Sequence, residues 1–135
     1  MKTKLIAAIL LTGFITASFT LKVNNQKKPW IVPDAAKNKA NPVASNAASI
    51  AEGKDLWTTH CKSCHGTKGL GDGPKAAQLK TEPGDFSKAE TQAQSDGSIF
   101  YKTSEGREDM PSFKKKIPDT DDIWNIVNYV RTLKK

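Results

Sequence analysis

The residues most able to do chemistry form one short run, Cys61-Lys62-Ser63-Cys64-His65. Its two thiols lie one helical turn apart, so each can add to one vinyl group of the same porphyrin, and the imidazole that follows can bind the iron. This C-x-x-C-H spacing is the attachment signature of c-type haem. The chain contains only two Cys and two His, so any redox or metal site has few other residues to draw on. The run predicts one covalent haem c, attached through Cys61 and Cys64 with His65 as an iron ligand.

A methionine thioether is the candidate for a second iron ligand. Met1 is the initiator, which leaves Met110, 45 residues after His65. Met110 precedes Pro111 between two polar stretches and is not on an amphipathic face, which disfavours a role as core filler. The sequence therefore predicts Met110 as the second axial ligand. The alternative is an open distal site, in which the protein binds small ligands or acts as a weak peroxidase.

Three other uses of the two cysteines fit the sequence less well. A thioredoxin-like dithiol follows a strand and opens a long helix, whereas this pair follows a predicted helix and precedes a glycine-rich loop. A disulfide between Cys61 and Cys64 would close too short a loop to stabilise the domain. A zinc site would need His60 and His65 besides the two cysteines, and four ligands within six residues would strain a tetrahedron.

A helix before the run is predicted to position it. Ser49 as N-cap and Glu52 three residues later have the pattern of a capping box, and the helix is expected to run to about His60. Gly53 falls on its apolar face, where glycine costs about 1 kcal/mol relative to alanine. That glycine predicts a close approach of another backbone.

Two further helices are predicted after the run. A middle helix is expected over about 96–104 with Ser95 as its cap. A last helix is expected to begin within residues 118–122, whose Pro and three Asp supply a stop, a cap and negative charge for its N-terminus. The apolar face of the last helix extends over 123–133 and is expected to cross the first helix. No segment has the length and alternation of a strand. The predicted class is all-α, with three or four short helices.

The N-terminal part is predicted to direct export. Lys2 and Lys4 precede residues 5–21, which carry no charge, and this is the layout of a secretory signal. The run also reaches the lower limit of about 17 residues for a spanning helix, so residues 1–21 are predicted to be a signal peptide or an N-terminal membrane anchor. Either assignment places the rest of the chain in the periplasm or on the outer face of the inner membrane.

Residues 22–48 are rich in Asn, Lys, Ala and Pro and are predicted to form a flexible basic tether. Its apolar cluster, residues 30–32, is interpreted as packing on the domain in preference to a membrane interface. Most of the net charge of +7 lies before Ser49, because residues 49–135 carry 14 Lys and Arg against 13 Asp and Glu. Without a basic stripe or a reading element in that part, nucleic acid is not an expected partner.

Residues 49–135 resemble a small monohaem class I cytochrome c of the bacterial type. The matching segments, in chain order, are 53–57, 61–66, 69–74, Met110-Pro111 and 124–133. The resemblance implies three to four helices wrapped around one covalently attached haem. It also implies that a proline carbonyl after the run orients the proximal histidine, and Pro74 is the residue at that place.

An iron with protein ligands on both faces has no position left for a substrate, so electron transfer is the expected function. The chain is expected to be a single-electron carrier, not an enzyme, that shuttles electrons between redox partner proteins. A haem subunit of a larger oxidoreductase complex is the other alternative. Because an 87-residue domain with so much loop buries only a limited core, its folding is expected to depend on haem.

Overall fold

The structure is a computed structural model that describes residues 28–135, so the predicted signal or anchor in residues 1–21 lies outside the described residues. Within 28–135 the regular secondary structure is helical, apart from one isolated bridge between Arg107 and Met110, and loops join the helices. The α-helices, numbered α1 to α6 in chain order, are Asp34–Lys37, Ala47–His60, Lys62–His65, Ala89–Gln92, Asp96–Glu105 and Thr120–Arg131. A 3-10 helix covers Ala76–Gln78. The all-α class predicted from the sequence is confirmed, and no helix of the described part is long and apolar enough to cross a membrane.

Helices α2 and α6 cross in close contact at a glycine. A Cβ atom at Gly53 would lie 2.0 Å from the carbonyl oxygen of Asn125, a distance that no side chain can occupy. One turn further along α2, the Trp57 ring lies 5.8 Å from the ring of Tyr129. The close approach predicted from Gly53 is therefore confirmed, and its partner is the backbone of α6.

Most of the buried apolar core lies on α6. Trp124 and Val127 have no exposed surface, and Phe100 of α5 stacks on Trp124 with ring centroids 4.1 Å apart. Arg131 ties the end of α6 to the start of α5, because its Nε donates to Asp96 Oδ1 at 2.7 Å. The three longest helices thus form one packed unit.

The helix ends follow local hydrogen bonding, with one correction to the sequence prediction. Ser95 caps α5 and Asp119 caps α6, as predicted. The first long helix starts earlier than predicted, because Asn46 is its N-cap and Ser49 is its third residue. Asn46 Oδ1 accepts from Ser49 N at 3.0 Å and Ser49 Oγ accepts from Asn46 N at 3.1 Å, so Ser49 closes the capping box that was assigned to Glu52.

The segment predicted as a flexible tether is packed on the domain over residues 28–48, while residues 22–27 lie outside the described residues. Pro33 is the N-cap of α1, and its carbonyl accepts from the amides of Ala36 and Lys37 at 2.9 Å. Helix α1 lies against α5, where a Cβ at Gly97 would be 2.1 Å from the Ala36 carbonyl oxygen. The flexible assignment is therefore wrong for these residues, since composition does not reveal the surface that holds them.

Gly53→Ala is expected to lower the free energy of unfolding by about 3 kcal/mol, the upper range for overpacking. The added methyl group would force α2 away from the α6 backbone at the crossing. Thermal and urea denaturation of the haem-loaded protein measure the change. Lys54→Ala, at an exposed position of the same helix, is the matched control and should stay within about 0.5 kcal/mol of the wild type. Equal stability of the two variants would show that the crossing tolerates a side chain.

Candidate haem-binding site

One cavity brings together the residues of the C-x-x-C-H run and Met110. Cys61, Cys64, His65 and Met110 all line a cavity of about 700 Å³. This volume lies within the range of roughly 300 to 1,000 Å³ that is typical of ligand and cofactor pockets. The first three residues come from the end of α2 and from α3, and Met110 comes from the turn after α5. The fold therefore joins two segments that are 45 residues apart in sequence.

Both cysteines carry free thiols, so the disulfide considered as an alternative is not formed. The helical turn that starts at Cys61 is closed by the amide of His65, which donates to the Cys61 carbonyl at 3.0 Å. This turn places Cys61 and Cys64 three residues apart on one side of the helix. Burial, and to a lesser extent the nearby Cys64, raise the pKa of the Cys61 thiol to about 12. The pair offers two sulfur atoms to one edge of the cavity.

His65 is held by two aromatic rings. Its imidazole lies 5.1 Å from the ring of Phe86 and 5.6 Å from that of Trp57. Trp57 also fixes the chain after the histidine, since its Nε1 donates to the Gly66 carbonyl at 3.1 Å. Burial lowers the pKa of His65 to about 4, so the imidazole is neutral at physiological pH and has a lone pair for a metal. Phe86 was not identified from the sequence, because its position in a loop gives no periodic signal.

Pro74 lies beside the run, but its carbonyl does not accept a hydrogen bond from His65 Nδ1. The amides on either side of it are bound to the run: Gly73 N donates to the Cys64 carbonyl at 3.1 Å and Lys75 N to the Ser63 carbonyl at 2.9 Å. The buried His65 Nδ1 has no hydrogen-bond partner in the described part of the chain. Pro74 itself borders a separate surface groove with Lys62. The hydrogen bond from His65 to the Pro74 carbonyl is therefore not formed in this structure.

Met110 ends a tight turn that is anchored on the opposite loop. Arg107 and Met110 exchange two backbone hydrogen bonds, of 2.8 and 2.9 Å. Asp109 Oδ2 accepts from the amides of Lys80 and Thr81 at 2.8 and 3.0 Å. These bonds link the methionine to the loop that borders the cavity on that side, a contact that the sequence did not predict.

Trp30 reaches the same cavity from the N-terminal segment. Its ring lies 4.7 Å from the Arg107 guanidinium carbon and 5.6 Å from Lys102 Nζ. Burial and the nearby Arg107 lower the pKa of Lys102. The packing predicted for Trp30 is therefore observed, whereas its neighbour Ile31 remains 84% exposed.

The comparisons with known proteins agree with this geometry. The family model described as cytochrome c matches residues 50–134, and the chain belongs to the cytochrome c family. The cofactor of this family is a covalently bound haem c with its iron, and its domain serves haem-based electron transfer. The free thiols, the neutral buried imidazole and the cavity fit that group, which Cys61, Cys64 and His65 would hold.

Two solved structures resemble the chain. The c-type cytochrome KustC0563 is 35% identical with a TM-score of 0.55, and the match covers 62% of this chain and 98% of that one. A chain of the Kuenenia stuttgartiensis reducing HAO-like protein complex Kustc0457/Kustc0458 is 28% identical with a TM-score of 0.63, and the match covers 70% of this chain. This chain spans only 47% of that second structure. A search of curated proteins gave no match.

Trp57→Phe is expected to destabilise the protein by about 1 to 3 kcal/mol more than Trp124→Phe. Both changes remove the same atoms from a buried site, but only Trp57 Nε1 has a hydrogen bond to lose, whereas Trp124 Nε1 has no partner among the described residues. Urea denaturation of the haem-loaded variants gives the difference. Equal losses would mean that the bond to Gly66 contributes nothing.

Proposed function

We propose that the chain is a single-electron carrier whose haem iron is bound by His65 and Met110. The observation that carries the proposal is that both residues line one cavity together with the two thiols. An iron bound by His and Met has a raised reduction potential and changes oxidation state with its ligands retained. Bound haem would supply the one-electron couple, and the protein residues would hold it through Cys61, Cys64, His65 and Met110 and exclude water from it.

The arrangement of the methionine supports ligation over an open distal site. Met110 is fixed by the backbone pair with Arg107 and, through its neighbour Asp109, by two bonds to the loop at residues 80–81. A ligand that is held by the fold in this way is available without a large rearrangement.

The partners are proposed to be redox proteins outside the cytoplasm. Lys75 and Lys116 line the cavity, but Glu108 and Asp109 line it as well, and Lys114 is paired with Glu105. This near balance of charge gives weak electrostatic steering, so association with a charged partner is expected to depend little on salt. The similarity to a chain of an HAO-like complex supports the second candidate, a haem subunit of a larger oxidoreductase.

Met110→Ala is expected to retain covalent haem, to lower the reduction potential by at least about 60 mV, a tenfold change in a one-electron equilibrium, and to open the iron to carbon monoxide. The physical reason is the loss of the thioether, a ligand that favours ferrous iron. Potentiometry and carbon monoxide binding measure both effects. Leu79→Ala is the matched control, since Leu79 lines the same cavity but offers no ligand. Unchanged potential and spectrum in Met110→Ala would contradict ligation by Met110.

The protein is expected to be exported from the cytoplasm and to carry one covalent haem. Mass spectrometry of the chain matured in bacterial cells with a haem-attachment system should find one haem on the peptide of residues 61–65 and, from the mature N-terminus, show whether residues 1–21 are removed. Ile9→Lys places a charge in the apolar run and is expected to abolish export and haem loading. Haem-free wild-type protein that stays in the cytoplasm would contradict the proposal.

A further inference from the structure

The N-terminal segment that precedes the family match is fixed on the domain at several points. The Ser95 hydroxyl donates to the Lys37 carbonyl at 2.6 Å, and Asn41 Nδ2 donates to Asn128 Oδ1 of α6 at 2.9 Å. Asn128 is buried and returns a bond of 3.2 Å to the carbonyl of Val43. These contacts, together with the seating of α1 on Gly97, set the direction in which the preceding residues run.

From these anchors the segment leads to the turn that carries Met110. The Arg107 guanidinium lies over the Trp30 ring and donates from Nη1 to the Lys28 carbonyl at 3.2 Å. The same ring faces Lys102 of α5. Trp30 therefore connects the turn to α5 through two cations, and a cation over the face of an indole is attracted by the ring quadrupole.

The turn needs support, because its backbone is strained. Glu108 has a φ of 53°. This value lies in the left-handed region of backbone conformation, which residues other than glycine rarely adopt. On one side, the Glu108 and Asp109 carboxylates accept from the backbone and hydroxyl of residues 80–81. On the other side, Trp30 and the Lys28 carbonyl hold the Arg107 side chain.

We propose that Trp30 is a positioning residue for Met110, acting through Arg107. The inference rests on the proposed ligation by Met110 and extends it, because Trp30 lies outside the family-matched residues 50–134. When the Arg107 side chain is held, the Arg107 backbone stays in place. Two backbone hydrogen bonds join Arg107 to Met110, so Met110 stays in place as well. Without Trp30 the support on that side is reduced to the bond from Arg107 to the Lys28 carbonyl, and the Met-released state becomes more populated.

Trp30→Ala tests this in the full-length, haem-loaded protein. We expect covalent haem to be retained, the ferric charge-transfer band of methionine-bound iron to weaken, and cyanide to bind ferric iron about tenfold faster, the size expected for losing one partly buried cation–π pair. Trp30→Phe should fall between this variant and the wild type, because phenylalanine keeps an aromatic face. Ile31→Ala is the matched control on the same segment and should behave as the wild type, since Ile31 is exposed.

A merely structural role would give a different pattern. Ile126→Val, at a buried position of α6, lowers stability away from the turn and should leave the cyanide rate unchanged. If Trp30→Ala loses stability while its band and cyanide rate match those of Ile126→Val, Trp30 does not position Met110. The wild-type spectrum separates the two proposals: a wild-type band with no response to Trp30→Ala overturns this inference alone, whereas a missing wild-type band overturns ligation by Met110 and this inference with it.

Discussion

The close approach of α2 to α6 at Gly53 is the contact on which the rest of the domain depends. With the Asn125 carbonyl occupying the place of a side chain, the two helices have one way to pack and little freedom to slide. The haem motif begins at Cys61, directly after α2 ends, so the crossing also places the two thiols. Trp57 also fixes the position of the chain after the motif, because its ring packs on Tyr129 and its Nε1 donates to the Gly66 carbonyl.

The cofactor completes a core that the polypeptide builds only in part. The buried apolar side chains concentrate on α6, whereas the other side of the molecule surrounds a cavity of about 700 Å³. A domain of this size buries a modest share of its surface, and a group that binds only the folded state stabilises it by mass action. Covalent attachment through Cys61 and Cys64 would make that contribution permanent.

Support of the Met110 turn from two sides has a consequence for electron transfer. The proposed ligand Met110 would be kept near the iron in both oxidation states by this support, so little structural change would accompany the electron. One support comes from the loop at residues 80–81 and the other from Trp30 in the N-terminal segment. The positive φ of Glu108 shows why a turn of this geometry needs contacts beyond its own hydrogen bonds.

Features that depend on neighbouring residues could be predicted from the sequence. The spacing of Cys61, Cys64 and His65 and the caps of α5 and α6 act within a few residues, so each leaves a local pattern. Gly53 was recognised because glycine is unfavourable on an apolar helix face, but its partner on α6 was not identified. The tertiary structure alone decided which distant groups meet. Residues 28–48 pack on the domain, although their composition suggested a flexible segment. Phe86 lies against His65, and Trp30 contacts Arg107 of the Met110 turn. These contacts are formed between surfaces that exist only after the helices have packed, and no spacing along the chain encodes them.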